Sequence, residues 1–228
     1  HNVDNLSVVK MYSLTSVVLL ISVSHIFAFN PLAFDAKINS SNVIIVPGPI
    51  IQTQYGPIQG REEFYDGIKS VYTYKGIRYA AAPVGNLRFR EAISPAPWTQ
   101  VFQADQHGSW CPQIHLTTGE YVGNEDCLFL NIATPTVRSS NFAVVVNFHG
   151  GGLIAGAGDI DPFRADFINE AGVIYVAPHY RLNTLGFLNS GDRSSPGNNG
   201  IKDMIRALQW VRNNIAAFGG DPFNVAIM

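Results

Sequence analysis

Three glycines follow a histidine at His149-Gly150-Gly151-Gly152, directly after the apolar run 143–148. That run is rich in valine, as in a strand buried on both faces of a parallel sheet. Glycine has no Cβ, so the chain can turn sharply and bring backbone N–H groups against a bound atom. Aimed N–H groups at a strand end suit one kind of chemistry, the holding of a developing oxyanion. The bland alternative is a Gly-rich turn between strand and helix, and these residues alone leave both open. Gly150 to Ala155 also fits the loose dinucleotide fingerprint G-x-G-x-x-G/A. That fingerprint must open a helix. Gly156 and Gly158 follow instead, each costing about 1 kcal/mol in a helix interior relative to Ala, which disfavours a nucleotide.

A second cluster has the donor types of a zinc site. His107, Cys111 and His115 recur at four-residue spacing, and Cys127 offers a fourth ligand. Pro112 interrupts any helix that would present the first three on one face, and the histidine spacing departs from the paired-ligand patterns. Cys111 and Cys127 are the only cysteines in the chain. In an oxidising compartment an isolated pair reads as a disulfide, and closing that loop contributes about 3 kcal/mol.

The elements that must position these residues are legible at low resolution. Residues 143–148 and 173–177 read as buried strands. Pro162 opens a helix over 162–171, which Gly172 stops. That order is a βαβ unit, which gives parallel strands through a right-handed crossover. Upstream, 43–54 holds two β-branched runs broken by Pro47-Gly48-Pro49, a hairpin signal. Further strands are expected at 56–60 and 70–74, and 83–98 reads as irregular. Downstream, 183–195 reads as a polar loop. A helix is expected over 200–218, with Asn198 or Asn199 as its cap and Gly219-Gly220 and Pro222 as its stop. Its apolar stripe is Ile201, Ile205, Leu208, Val211, Ile215 and Phe218, with Lys202, Arg206 and Gln209 on another face. Residues 225–228 begin one more strand.

The chain has 228 residues, 46% of them hydrophobic and 14% charged, with a net charge of −2. This is a core-forming composition for one or two domains. Its near-neutral balance lacks the basic footprint of a nucleic-acid partner. The first Met is Met11, and residues 1–10 are set aside as an upstream or non-native segment. The apolar stretch 17–29 is shorter than the roughly 20 residues of a membrane span. It suits a secretory signal peptide over 11–28, although no Lys or Arg lies between Met11 and the apolar stretch. Asn39-Ser40-Ser41 is a glycosylation acceptor, so the expectation is a secreted, extracellular glycoprotein.

Several stretches, taken in order, carry a family likeness. They are Tyr74-Lys75-Gly76-Ile77-Arg78-Tyr79-Ala80-Ala81-Ala82-Pro83-Val84-Gly85-Asn86-Leu87-Arg88-Phe89 and Asn124-Glu125-Asp126-Cys127-Leu128-Phe129-Leu130-Asn131-Ile132. His149 to Gly152, Tyr180-Arg181-Leu182, Leu185-Gly186-Phe187-Leu188 and Pro196-Gly197-Asn198-Asn199-Gly200 continue it. Asp203, Ala207-Leu208-Gln209-Trp210-Val211 and Phe218-Gly219-Gly220-Asp221-Pro222 complete it. Over about residues 50–228 the chain resembles the type-B carboxylesterase and cholinesterase family.

The resemblance implies an α/β-hydrolase fold, of which residues 29–228 would be the incomplete N-terminal part. That part is a small β-hairpin region followed by a mostly parallel sheet with flanking helices. It implies a carboxylic-ester hydrolase of the Ser-His-acid type acting on a small-molecule ester. No cofactor, metal, nucleic acid or membrane span is called for. Gly151 and Gly152 would supply the oxyanion-hole N–H groups, Cys111 would pair with Cys127, Arg88 with Glu125, and Arg181 with Asp203. In such folds the nucleophile sits in Gly-x-Ser-x-Gly, after the strand that 225–228 begins, and the acid and base follow later. The 228 residues contain no such motif, so this chain is expected to be a fragment with the oxyanion half, inactive alone. Some family members are adhesion proteins that lost the Ser, and that is the alternative reading. Arg78 replaces a common Pro, Ala81-Ala82 replace Glu-Pro, and His179 replaces a common Asn. The loop between the cysteines holds no Trp, against a choline-ester specialist.

Overall fold

Short turns join the first strands, so they pair antiparallel. They are β1 (Ile44–Gln52), β2 (Pro57–Tyr65) and β3 (Lys69–Arg78). The structure is a computed structural model that describes residues 43–65, 69–137, 141–160, 171–192 and 195–228, all within the unit Ser40–Met228. The segments 1–10 and 11–28, Asn39 and most of the helix expected over 162–171 lie outside the described residues.

The Pro47-Gly48-Pro49 break makes a bulge within β1, not a hairpin. Between Pro47 and Ile50 β1 advances three positions while β2 advances two, from Arg61 to Gln59. β1 is an edge strand, where a proline without an N–H is tolerated and an extra residue bends the strand without ending it. Gln59 Nε2 donates to the Gly48 carbonyl at 2.9 Å, holding the bulge down.

Then come β4 (Phe102–Gln103), β5 (Gln113–Ile114), β6 (Tyr121–Val122), β7 (Phe129–Thr134), β8 (Phe142–Val146) and β9 (Val173–Pro178). The last strand is β10 (Gly220–Ile227). Among the described residues one sheet runs β1-β2-β3-β7-β9-β8-β10, with β4 beside β2, and β5-β6 form a separate pair. β8 lies between β9 and β10 and runs parallel to both, while β1 to β3, β7 and β9 pair antiparallel. Val144, Val146, Ile174 and Val176 are fully buried in this parallel part.

Two helices follow β9. α1 (Asn183–Phe187) falls where the polar composition of 183–195 suggests a loop. α2 (Asn199–Asn214) continues as a 3-10 turn, Ile215–Phe218, and Gly219 ends it in the left-handed region at φ 88°. Asn198 is the N-cap residue of α2, and its carbonyl accepts from Lys202 N–H at 3.1 Å. At φ 55° its side chain makes no capping bond, and Asn199 Nδ2 donates to the Phe89 carbonyl at 2.9 Å. β10 starts at Gly220, earlier than expected, because Gly220 already pairs with Phe142.

Of the aliphatic stripe, Val211, Ile215 and Phe218 are fully buried and Leu208 packs against the core, but the first turns of α2 depart from it. Asp203, Ala207, Trp210, Val211 and Asn214 face inward, while Ile201 and Ile205 are 42% and 50% exposed. The rotation follows from a buried ion pair. Asp203 accepts from Arg181 Nε and Nη2, both at 2.7 Å, and from the Arg181 backbone N–H at 3.1 Å. Two charges with 3% and 0% side-chain exposure stay charged inside only if they meet. Trp210 then packs with Phe218 and Val211 against the sheet.

Removing one partner of such a pair leaves the other buried and unpaired, at about 3–5 kcal/mol. Asp203→Ala is therefore expected to lower the urea midpoint strongly, whereas Ile205→Ser stays within about 0.5 kcal/mol of the parent. The reverse ranking would mean that the aliphatic stripe holds the helix.

Candidate functional site

Parallel strands end together at one edge, and crevices outside such ends are where α/β sheets hold ligands. β8 ends there between its two neighbours. Asn147 N–H donates to the Val176 carbonyl at 2.8 Å, and Phe148 N–H to the Met228 carbonyl at 3.0 Å. The ladder then stops and His149 turns out of it. Its ring stacks on Tyr180 at 4.3 Å and 15°, and Tyr180 Oη donates to the His149 carbonyl at 2.6 Å. His149 Nδ1 donates to the Gly150 carbonyl at 3.0 Å, which fixes the neutral tautomer. Burial lowers the His149 pKa, against that hydrogen bond, which raises it.

The glycines leave in a turn, not a helix. Gly151 has φ 119° and Gly152 φ 63°, and Leu153 follows at φ 64°. The Gly151 carbonyl accepts from Ile154 N–H at 3.1 Å and Ala155 N–H at 3.2 Å. Among the described residues nothing accepts from the N–H groups of Gly151 or Gly152, and both residues are exposed. A Cβ on Gly151 would collide with the Ala155 carbonyl, whereas one on Gly152 would meet only Ile154 Cγ1, at 4.0 Å. Gly151 is thus required by space and Gly152 by conformation. The segment 151–160 opens no helix, so it offers no helix N-terminus for the pyrophosphate of a dinucleotide.

Three carboxamide side chains hold this loop from outside. Asn183 N–H donates to the Leu153 carbonyl at 2.9 Å, and its Nδ2 to the Ile154 carbonyl at 2.9 Å. Gln113 bonds both sides of Gly156: Nε2 donates to its carbonyl at 2.8 Å, and Oε1 accepts from its N–H at 2.6 Å. Asn131 Nδ2 donates to the Gly158 carbonyl at 2.7 Å. Sequence reasoning missed all three. One local signal existed, a polar Asn131 amid the apolar run of β7, since a buried amide needs partners. Beside the loop is a cavity of about 400 Å³, walled by Ile114, Leu116, Tyr121, Ile154 and Leu185.

The loop ends in an acid–histidine cluster. Asp159 accepts from His179 Nε2 at 3.1 Å and from Trp110 Nε1 at 2.6 Å, with His107 Nδ1 at 3.8 Å. Burial raises the Asp159 pKa, but these hydrogen bonds and the histidine charges outweigh it and hold the carboxyl below its usual range. His179, which stands where the family commonly has Asn, is therefore a partner of the glycine loop's last residues. Its Nδ1 donates to the Ser109 carbonyl at 3.1 Å.

The remaining sequence candidates fall around this site. Cys111 and Cys127 are joined to each other, with Cα atoms 5.0 Å apart, so neither is a free thiolate for a metal. His107 accepts from Ile160 N–H, and His115 stacks on Trp110 at 5.9 Å, so the four zinc candidates do not converge. Arg88 forks onto Glu125 with both bonds at 2.6 Å. Arg78 forks onto the adjacent Asp126 at 2.6 and 2.8 Å and lies 4.6 Å over the Phe129 ring. Both arginines clip the corner that carries Cys127.

Comparison with known proteins identifies the family. Residues 47–228 match the carboxylesterase family. The chain is 41% identical over 186 residues to esterase FE4 of Myzus persicae, covering 78% of this chain and 33% of that protein. It is 37% identical over 182 residues to a juvenile hormone esterase of Tribolium castaneum, covering 78% and 31%. Among solved structures, juvenile hormone esterase from Manduca sexta superposes with a TM-score of 0.72 at 35% identity, covering 78% of this chain and 35% of the other. A Geobacillus stearothermophilus carboxylesterase gives 0.69 at 37% identity, covering 78% and 36%. The chain spans about a third of the length of these relatives.

Two half-buried histidines set a pH dependence. His149 and His107 both lie below the ordinary 6.5, mainly through burial. Unfolded chains therefore take up these protons first, so stability is full above that value and is lost as pH falls below it. The urea midpoint is expected to drop between about pH 7.5 and 5.5, and His149→Gln should flatten that slope. An unchanged slope in the variant would remove His149 from the account.

Proposed function

The chain belongs to the carboxylesterase family, and from that membership we propose that it carries the oxyanion half of a serine-dependent carboxylic-ester hydrolase. One observation carries the reading: two backbone N–H groups with no acceptor among the described residues lie beside the end of a parallel strand pair. Met228 N–H donates to the Val146 carbonyl and Phe148 N–H to the Met228 carbonyl, each at 3.0 Å, so Met228 lies next to the glycine exit. In the α/β-hydrolase plan the Gly-x-Ser-x-Gly turn follows the strand in this position. A serine there faces the same crevice as Gly151 and Gly152.

The reaction then follows from the donors. Ser Oγ attacks the acyl carbon while a His takes its proton, and an acid orients that His. The carbonyl oxygen becomes an oxyanion, which the N–H groups of Gly151 and Gly152 receive. These dipoles are already in place, so little reorganisation accompanies the charge. Collapse breaks the bond to the alcohol, which takes the proton from the His, and water releases the acid in a second round. The apolar cavity walled by Leu116, Tyr121 and Ile154 supports an ester with an apolar substituent. Retention of two unengaged amides favours an enzyme over the adhesion alternative, which has no use for them. The disulfide supports a secreted protein, since such bonds persist in oxidising compartments.

Gly151 is a poor place to test the donors, since any side chain there displaces Ala155. Glycolate in place of Gly152 removes one N–H and adds no side chain. In the full-length protein it should lower kcat on a p-nitrophenyl ester by about 100- to 1,000-fold. The 228-residue chain by itself should not react with a fluorophosphonate. Unchanged kcat, or labelling of the short chain, would defeat the proposal.

A further inference from the structure

We infer that Gln113 is the positioning residue of the oxyanion loop, fixing Gly151 through Gly156; this rests on the reading of Gly151 and Gly152 as oxyanion donors. The Gln113 carboxamide stands in for a missing strand neighbour. It accepts from Gly156 N–H at 2.6 Å, donates to the Gly156 carbonyl at 2.8 Å, and donates to the Cys111 carbonyl at 3.1 Å. It is 4% exposed, so water does not compete for these bonds. Its own place is set two residues away by the Cys111–Cys127 bridge, which ties it to the start of β7.

Gly156 transmits that position by contact. It has φ 121°, and a Cβ on it would run into His149 Nδ1 and the Gly150 carbonyl. Its neighbour Ala155 presents its carbonyl to the Cα of Gly151. A shift of Gly156 therefore moves the backbone on both sides of the first oxyanion donor without passing along the turn. None of the other clasps on this loop binds both an N–H and a carbonyl of one residue. Asn183 and Asn131 act only on carbonyls within it.

The test is Gln113→Leu in the full-length protein, which keeps the shape and deletes all three bonds, two of them to Gly156. A misplaced donor lowers kcat by up to about 100-fold. KM should stay within about twofold, because the oxyanion exists only in the transition state. Affinity for a trifluoromethyl ketone, which forms a tetrahedral oxyanion, should fall in step with kcat. Unchanged kcat, or a rise in KM with kcat retained, overturns the inference. Glycolate at position 152 separates the two claims. If it lowers kcat and Gln113→Leu does not, only the role of Gln113 fails; if neither does, the oxyanion reading fails. Should Gln113→Leu not fold, amide hydrogen exchange of the unmodified protein decides. Gly156 N–H should be protected like β8, while Gly151 and Gly152 exchange fast. Equal exchange at all three overturns the inference.

Discussion

A backbone N–H meant for a ligand's charge cannot also hold its own loop together. This constraint shapes everything around the glycine run. Among the described residues the turn at Gly151 forms bonds only through its carbonyl, to Ile154 and Ala155, and the N–H groups of Gly151 and Gly152 have no acceptor. Such a loop lacks the ladder that would fix it, so its order must come from other parts of the chain. Asn183, Gln113 and Asn131 supply it, and their amides reach Ile154, Gly156 and Gly158 from 29, 43 and 27 residues away. Each bond contributes about 0.5–1.5 kcal/mol net, but leaving its buried partner unmet costs more. On the proposed reading the carboxamides are thus as much part of the site as the glycines.

The supports are themselves held. Cys111 anchors the segment bearing Gln113, and the Arg78–Asp126 and Arg88–Glu125 forks pin the corner at Cys127. Exposed ion pairs contribute little singly, but two forks on adjacent carboxylates restrict the same short segment. On the other flank Arg181 and Asp203 lock α2 beneath the sheet. Tyr180, one residue earlier, is thereby held under His149, where β8 leaves the ladder. The sheet decides where the loop starts, and side chains decide what shape it takes.

The parts legible from sequence were those whose signal is local. Valine runs announced β8 and β9, and the glycine run announced the turn between strand and cavity. Turn chemistry misled at Pro47-Gly48-Pro49, because a hairpin and an edge bulge use the same residues and only the pairing partner distinguishes them. Periodicity misled only in the first turns of α2, at Ile201 and Ile205, while Val211, Ile215 and Phe218 are buried as their spacing suggests. There the charge of Asp203 selects the inward side, and no pattern within the helix identifies Arg181 as its partner. Gln113 and Asn183 could not be found at all. Their types suggest only polar surface, and their partners are backbone atoms of a distant loop.

The central claim is that two amides stand ready for a tetrahedral oxygen. A crystal structure of the full-length protein carrying a covalent phosphonate tests it most directly. The phosphonyl oxygen is expected about 2.7–3.1 Å from the nitrogens of both Gly151 and Gly152, with Gln113 still clasping Gly156. An oxygen held by other donors, with either amide turned into a helix or bonded within the loop, would contradict the account.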